Sequence, residues 1–254
     1  MVHFVGAGCG APDLITLRGK ALLEAADVII YAGSLVNPAL LDWKKPGCAV
    51  HDSATMTLEE VVAVMEAAER EGKTTVRLHT GDPSLYGAIR EQMDRLDALG
   101  IPYDVCPGVS AFCGAAAALD LEYTLPGVSQ SVIITRMAGR TGVPERERLR
   151  ALAAHGATMV LFLSAGLLEE AAAELIAGGC APETPAAIVC RASWPDERRC
   201  LCTVGTLAAC ARENDITKTA LIIVGETVAQ RGYMRSELYN PAFATGYRPA
   251  RDTL

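Results

Sequence analysis

The first half of the chain alternates short apolar runs with polar, glycine-containing breaks and then with apolar residues at helical spacing. This pattern predicts strands at 2–5, 28–31, 74–79 and 101–106. It predicts helices at 14–26, 58–71, 85–99 and 109–119. The second helix has a clear start, because Thr57 and Glu60 have the spacing of a capping box. Strands alternating with helices favour an α/β fold with a mostly parallel sheet.

The second half of the chain repeats this alternation with one change. Apolar runs predict strands at 131–135, 158–163, 186–191, 199–204 and 220–224, and helices at 145–154, 167–177 and 205–213. No helix separates 186–191 from 199–204, so these two strands are predicted to form a hairpin in a mixed sheet. We therefore expect an N-terminal α/β domain at 1–122, a C-terminal α/β domain at 123–230 and a peripheral tail at 231–254.

Composition narrows the possible functions. The 254 residues are 50% hydrophobic, and 23 basic against 30 acidic side chains give a net charge of −7. An acidic chain argues against nucleic-acid binding, which favours a basic surface. The sequence shows neither a signal peptide nor an apolar run of about 18 residues, so we expect a cytoplasmic protein without a membrane partner. Most of the nine cysteines are interpreted as small buried hydrophobes, and no metal site is expected.

Two glycine-rich breaks are the most informative local feature. Residues 6–10 follow the first predicted strand, and residues 80–83 follow the third. Gly81 allows close backbone approach, and Pro83 makes the turn rigid. Open α/β sheets bind ligands at the ends of their strands. The two breaks therefore predict a small-molecule site formed largely by main-chain groups.

Several familiar chemistries do not fit these loops. The spacing of Gly6, Gly8 and Ala11 matches a relaxed dinucleotide-binding pattern, but the acid that would bind the ribose is missing. Asp27 stands at the beginning of its strand instead of at the end. The chain also lacks the lysine of a phosphate-binding loop, the serine elbow of hydrolases and paired histidines. His79 and Arg77 share one face of the third strand, where a structural role is the simpler interpretation.

Three segments in register, 6–16, 77–87 and 107–111, resemble the tetrapyrrole methylases, and the resemblance extends over about 2–228. It implies two α/β domains with a cofactor cleft between them, S-adenosyl-L-methionine as cofactor and a homodimer. Segments 31–36, 79–83, 135–141 and 192–197 further imply methyl transfer to ring carbon 11 of precorrin-4, which gives precorrin-5 in cobalamin biosynthesis. Cobalt-precorrin-4 or another tetrapyrrole remains an alternative substrate. Net charge disfavours the ribosomal-RNA methylases of this family, and a binding module without turnover is the alternative outside enzymes.

The resemblance also implies site residues. Those expected to bind the cofactor are Cys9, Thr80, Gly81, Asp82, Leu85, Ser110, Ala111, Phe162, Leu163, Ala192, Thr219 and Ala220. Because the implied substrate is a polycarboxylate, the arginines that are candidates to bind it are Arg77, Arg136, Arg140 and Arg191. Ser34 is a further candidate to bind the substrate. Candidates for a catalytic role are Ser34, His79, Tyr86 and Arg136.

Two positions depart from the family pattern. Cys9 stands where the family usually has proline, and Ala32 stands where some relatives have an aspartate proposed to move a proton. The second departure removes an obvious general base. We therefore expect catalysis to depend on alignment of donor and acceptor, with no single indispensable base.

Overall fold

The computed structural model describes residues 1–33 and 35–251. The chain divides into two compact units. The first consists of Met1–Ala118 together with Arg191–Glu197, and the second contains Leu119–Cys190 and the residues that follow Glu197. Each unit is built on one five-stranded sheet.

The sheet of the first unit is all parallel, with strand order β3-β2-β4-β1-β5. Its strands are β1 (Val2–Gly6), β2 (Val28–Tyr31), β3 (Ala49–Asp52), β4 (Thr75–His79) and β5 (Tyr103–Cys106). Its helices are α1 (Leu17–Ala25), α2 (Leu58–Arg70), α3 (Ile89–Leu99) and α4 (Ala111–Ala118). The predicted α/β architecture with a parallel sheet is confirmed.

Both faces of the sheet are buried at its three inner strands, which explains why β1, β2 and β4 are largely apolar runs. Phe4 and Ile30 belong to one core cluster, which includes Met65 of α2. Val5 and Ile29, the next residues along the same strands, belong to a second cluster on the other side. Side chains that alternate across a strand therefore supply two cores.

The sequence missed β3 and placed three helix starts too early. β3 is an edge strand whose residues are mostly exposed, so it lacks an apolar run. α1 begins at Leu17, because the side chain of Thr16 accepts the Gly19 N–H as its N-cap. α3 begins at Ile89, because Tyr86 and Ala88 have left-handed backbone angles, with φ of 57° and 48°. α4 begins at Ala111, after the turn at Pro107 and Gly108.

The sheet of the second unit is mixed, with strand order β6-β7-β10-β8-β9. Its strands are β6 (Val132–Arg136), β7 (Thr158–Phe162), β8 (Pro185–Cys190), β9 (Arg198–Thr203) and β10 (Ala220–Val224). β6 and β7 are parallel, and the remaining neighbours are antiparallel. The predicted hairpin of β8 and β9 and the mixed character of the sheet are confirmed.

The helices of the second unit are α5 (Leu149–Ala153), α6 (Leu168–Ala177) and α7 (Leu207–Glu213). Residues of all three helices pack with β7, β8 and β10 in one core cluster. The helix predicted at 145–154 is shorter than expected, because Glu145–Glu147 forms a 3-10 turn before α5. In the tail the structure places a 3-10 turn at Glu237–Tyr239.

All nine cysteines are free thiols, and four of them are buried. The expectation that most are buried is therefore wrong: four are half-buried, and Cys113 is exposed on α4. Within the residues that the structure describes, none of the helices is long and apolar enough to cross a membrane.

Candidate functional site

Three loops meet at one edge of the first sheet. β4, β1 and β5 are neighbours and run parallel, so their carboxyl ends lie side by side. The first loop (residues 7–11) and the second loop (residues 80–84) are joined directly by their backbones. The Gly81 N–H donates to the Gly8 carbonyl at 2.8 Å, and the Gly8 N–H donates back at 3.3 Å. The two glycine-rich breaks predicted from the sequence are thus adjacent in the structure.

The third loop (residues 107–110) packs against the first two at glycine positions. A methyl group on Gly108 would collide with the Gly81 carbonyl oxygen and would lie 2.7 Å from the Gly6 Cα. A methyl group on Gly6 would lie 2.6 Å from backbone atoms of both Gly108 and Gly81. Only residues without a side chain allow this approach of three backbones.

The Asp82 carboxylate fixes the second loop to the third. Its Oδ2 accepts the Gly108 N–H at 2.8 Å, and its Oδ1 accepts the Ser84 N–H at 2.9 Å and the Ser84 hydroxyl. Burial raises the pKa of this carboxyl, but the hydrogen bonds from Ser84 and Gly108 outweigh burial and leave the pKa below its ordinary value. Asp82 is therefore ionised, and its carboxylate positions the backbone of the second and third loops.

The structure brings several of the expected cofactor residues of the first unit together around these loops. Gly81 faces Ser110 and the N–H of Ala111, which opens α4. Cys9 is buried in the first loop, and Thr80 and Leu85 are half-buried beside Gly81 and Asp82. Ala192 is buried against the first loop, where its carbonyl would lie 2.5 Å from a methyl group on Gly10. The result is a set of main-chain groups and small side chains, which suits a neutral, flat ligand such as an adenine ring.

The remaining cofactor candidates lie at the ends of two neighbouring strands of the second sheet. Phe162 ends β7, Leu163 follows it, and Thr219 precedes Ala220 at the start of β10. β7 and β10 are antiparallel neighbours, with Ile222 opposite Leu161, so the end of β7 lies beside the beginning of β10. Leu163 and Thr219 both have left-handed backbone angles, with φ of 53° and 54°. Non-glycine residues in this conformation are uncommon and often occur at binding sites.

Arg77 and His79 lie in the interior of the first unit. Arg77 is 7% exposed, and its guanidinium donates to the Gln92 side chain at 3.1 Å and to the Ile30 carbonyl at 3.3 Å. Burial lowers its pKa to about 10. His79 is 5% exposed, and burial together with the nearby Arg77 charge lowers its pKa to about 3. These placements favour structural roles over the substrate contact expected of Arg77 and the catalytic role considered for His79.

The other substrate and catalytic candidates differ in their surroundings. Arg136 donates to the carbonyls of Met137, Thr141 and Gly142, so its guanidinium closes the loop that presents the exposed Arg140. Tyr86 is 45% exposed in the turn before α3. Ser34 lies outside the described residues. Arg140 and Arg136 therefore remain the better-placed basic candidates.

The buried His79 predicts a pH dependence of stability. Its pKa is about 3 in the folded chain against 6.5 for an unperturbed histidine, so below pH 6.5 the unfolded chain binds a proton that the folded chain does not. We expect the His79 contribution to stability to be complete above pH 6.5 and to be lost as pH falls toward 3, by up to about 1.4 kcal/mol per pH unit. Urea titrations of the wild type and His79→Gln between pH 7.5 and 5 measure this slope.

The exposed His155 provides the matched control, since His155→Gln removes a histidine that the fold does not bury. The slope of stability against pH should be shallower in His79→Gln than in His155→Gln. Equal slopes in the two variants would show that His79 titrates normally in the folded chain.

The sequence did not identify the role of Ser193, and Trp194, considered for stacking on the macrocycle or for packing, instead lies against Gly10 of the first loop. The Ser193 Oγ accepts the Ala11 N–H at 2.9 Å across a separation of 182 residues. No local pattern reports a contact over such a distance. In the described part of the chain, no group of three His, Cys, Asp or Glu residues is arranged to bind a metal ion.

Comparison with known proteins agrees with this architecture. The sequence profile of the Tetrapyrrole (Corrin/Porphyrin) Methylases matches residues 1–208. The cobalt-precorrin-4 C(11)-methyltransferase of Methanocaldococcus jannaschii is 51% identical, over 97% of this chain and 95% of that protein. The precorrin-4 C(11)-methyltransferase of Mycobacterium tuberculosis is 46% identical, over 95% of this chain and 96% of that protein.

Two solved structures have the same fold. A cobalt precorrin-4 methyltransferase, described as a cobalamin biosynthetic enzyme, superposes with a TM-score of 0.88 at 46% identity, covering 89% of this chain and 95% of that chain. The uroporphyrin-III C-methyltransferase of Thermus thermophilus, complexed with S-adenyl homocysteine, superposes with a TM-score of 0.77 at 31% identity, covering 91% and 99%.

The fold and the joined loops define a two-unit α/β protein in which three loops meet at the strand ends of a parallel sheet, the place where open α/β sheets bind ligands. This chain belongs to the tetrapyrrole methylase family.

Proposed function

We propose that this chain transfers a methyl group from S-adenosyl-L-methionine to ring carbon 11 of precorrin-4, giving precorrin-5 in cobalamin biosynthesis. The observation that carries the proposal is near-full-length identity of 51% and 46% to two methyltransferases named for this position of cobalt-precorrin-4 and precorrin-4. Since these relatives differ in the metal content of their substrates, cobalt-precorrin-4 is the alternative substrate. The joined glycine loops supply the physical basis for cofactor binding.

The cofactor, when bound, would supply a methyl group on a positively charged sulfur: an electron-rich ring carbon would form a bond to this methyl carbon as the bond to sulfur breaks, and the neutral thioether S-adenosylhomocysteine would leave. The first-unit residues proposed to bind it are Cys9, Thr80, Gly81, Asp82, Leu85, Ser110, Ala111 and Ala192. They would do so largely through backbone, which the close approach of Gly6, Gly81 and Gly108 and the Asp82 carboxylate hold in place. Positioning of donor and acceptor can supply much of the rate of a displacement between two bound molecules.

We propose the same role for the candidates of the second unit, which are Phe162, Leu163, Thr219 and Ala220. Their common position at the ends of β7 and β10 supports the assignment, as do the left-handed angles at Leu163 and Thr219. For the anionic substrate we propose Arg140 as a carboxylate partner, because its side chain is exposed. Arg136 holds the Arg140 loop through three carbonyls.

A single-turnover assay tests the proposed function. Purified protein is mixed with methyl-labelled S-adenosylmethionine and either precorrin-4 or cobalt-precorrin-4, and the product is measured by mass spectrometry. Addition of one methyl group to precorrin-4 supports the proposal. Transfer to the cobalt complex alone would support the alternative substrate. Cofactor binding with no methylation of either compound would contradict both.

We expect that no single residue acts as an indispensable general base, and a substitution of Tyr86 tests this expectation. We expect Tyr86→Phe to lower turnover by less than about tenfold with unchanged S-adenosylhomocysteine affinity, since alignment carries the reaction. A general base contributes roughly 10²–10⁴-fold. Single-turnover rates and calorimetric affinities measure the two quantities. A loss of 10³-fold or more with intact binding would identify the hydroxyl as an essential proton acceptor.

We further propose that the protein is a homodimer and is located in the cytoplasm. The nine free thiols suit a reducing compartment. Light scattering of the purified protein would give twice the mass of one chain for the proposed dimer and the mass of one chain for a monomer. Fractionation of the source cells tests the location.

A further inference from the structure

The loop between β8 and β9 contributes a feature that the sequence did not predict. β8 ends at Cys190 and β9 begins at Arg198, and these two residues are paired in the second sheet. The seven residues between them, Arg191–Glu197, belong by their contacts to the first unit. We refer to them as the β8–β9 loop.

The β8–β9 loop contacts three consecutive residues of the first glycine loop. The Ser193 Oγ accepts the Ala11 N–H at 2.9 Å and lies 3.4 Å from the Cys9 Sγ. Between these two positions, a methyl group on Gly10 would collide with the Trp194 ring. The Ser193 hydroxyl and the Trp194 ring therefore hold the backbone of the first loop. Only a glycine at position 10 allows the backbone to approach the ring so closely.

The β8–β9 loop is braced internally so that Ser193 is presented in this position. The Ser193 N–H donates to the Glu197 carboxylate at 2.7 Å. The Arg191 guanidinium stacks 4.2 Å from the centre of the Trp194 ring and forms an ion pair with Asp196 at 2.8 Å. Arg191 and Ser193 have left-handed angles, with φ of 53° and 63°. Such angles are costly in non-glycine residues and persist where surrounding contacts compensate for them.

Helix α4 packs against the Cys9 side chain. A methyl group on Gly114 would lie 2.7 Å from the Cys9 Sγ. Cys9 thus packs against the backbone of α4 and beside the Ser193 hydroxyl, and it is buried. The first glycine loop is fixed at Gly8 by the second loop, at Cys9 by α4, and at Gly10 and Ala11 by the β8–β9 loop.

We propose that Ser193 is a positioning residue for cofactor binding: its hydroxyl holds the first glycine loop in its binding conformation through the Ala11 N–H. The proposal rests on the proposed function of the glycine loops as a cofactor site. Ser193 acts on affinity for the cofactor through the loop and takes no part in bond making. Its loss should therefore weaken cofactor binding and leave the chemical step and substrate binding unchanged.

Two variants separate the hydroxyl from the backbone strain. Ser193→Ala removes the hydroxyl but keeps the Cβ atom, so the conformational free-energy cost of the left-handed backbone angle stays the same. Ser193→Gly removes the hydroxyl and also removes that cost. We expect both to bind S-adenosylhomocysteine about 5- to 10-fold more weakly by calorimetry, with an equal rise in KM for S-adenosylmethionine. The kcat at saturation and the KM for the tetrapyrrole should stay within about twofold of the wild type.

Ser236→Ala is the matched control, because the Ser236 Oγ also accepts a backbone N–H, that of Leu238, in the tail. It should bind S-adenosylhomocysteine as the wild type does. Unchanged affinity in both Ser193 variants would overturn the proposal. So would weak binding by Ser193→Ala with normal binding by Ser193→Gly, since strain would then be the cause. A fall in kcat with intact affinity would assign Ser193 to the chemistry instead.

The outcomes distinguish this proposal from the proposed function. If the wild type bound no S-adenosylhomocysteine, the proposed function would fail, and the role of Ser193 would fail with it. If the wild type bound it and methylated precorrin-4 while the Ser193 variants matched it in every constant, the role of Ser193 alone would fail.

Discussion

Replacing Gly108 by alanine should strongly weaken cofactor binding. The added methyl group would collide with the Gly81 carbonyl oxygen and lie 2.7 Å from the Gly6 Cα, and these contacts are all backbone. Neither neighbour can move away as a flexible side chain could, so the second and third loops must separate. We expect affinity for S-adenosylhomocysteine, measured by calorimetry, to fall at least about 100-fold, equivalent to roughly 3 kcal/mol.

The control for this variant is Gly246→Ala, where an added methyl group meets no atom within 4 Å. It should bind S-adenosylhomocysteine as the wild type does. The thermal midpoint of Gly108→Ala should also fall, because overpacking commonly costs about 1–3 kcal/mol. Affinity within twofold of the wild type would show that the close approach of Gly6, Gly81 and Gly108 is not needed for binding.

The substitution Asp82→Asn should weaken cofactor binding nearly as strongly, although the two side chains have the same shape. Both carboxylate oxygens accept backbone N–H groups, one from Gly108 and one from Ser84. An amide has one acceptor oxygen, so one of the two N–H groups would face an NH₂ group. A donor left without an acceptor costs about 1–3 kcal/mol. We expect a 10- to 100-fold loss of S-adenosylhomocysteine affinity by calorimetry.

Asp82→Ala should bind S-adenosylhomocysteine at least as weakly as Asp82→Asn does, because alanine removes both acceptor oxygens. Asp94→Asn controls for the loss of one negative charge, since Asp94 is an exposed residue paired with Arg90 on α3. Its affinity should equal that of the wild type. If Asp82→Asn bound normally and Asp82→Ala did not, a single acceptor would suffice, and the two-sided role of Asp82 would be wrong.

The ionised state of Asp82 adds a pH dependence to the same site. Hydrogen bonds from Ser84 and Gly108 keep its pKa below the ordinary value of 3.8 despite burial. The contribution of Asp82 to stability is therefore present above pH 3.8 and is lost as pH falls through the lowered folded-state pKa. We therefore expect acid to destabilise the first unit through two groups, the half-buried carboxylate of Asp82 and the buried imidazole of His79.

Arg77 shows what the alternation of side chains along a strand leaves open. Alternation along β4 correctly places Arg77 and His79 on one face, and a basic residue beside a glycine loop is a reasonable partner for an anionic substrate. Both faces of β4 are buried, however, and the Arg77 and His79 side chains lie in the interior of the first unit. Side-chain alternation cannot report whether a face meets solvent, a helix or a substrate.

The predicted helix starts show a similar limit on a smaller scale. Apolar spacing predicted a helix from residue 85, but left-handed angles at Tyr86 and Ala88 delay α3 to Ile89. A methyl group on Gly87 would lie 3.0 Å from the Pro83 carbonyl carbon, so the turn folds tightly onto the second loop. The position of the helix is set by the packing of that turn, which periodicity does not encode.

Local patterns along the chain were enough to predict the alternation of strands and helices, the parallel first sheet and the hairpin in the second sheet. They also located the two glycine-rich breaks that carry the family resemblance. Each of these follows from residues that are close along the chain, where hydrophobic period and turn chemistry act directly. Tertiary structure decided which of these residues meet. The carboxylate of Asp82 reaches Gly108, the hydroxyl of Ser193 reaches Ala11, and Arg77 turns inward to Gln92. The contact of Asp82 with Gly108 exists because β4 and β5 both flank β1, so that the ends of these strands lie side by side. The contact of Ser193 with Ala11 joins residues 182 positions apart, which no local pattern relates.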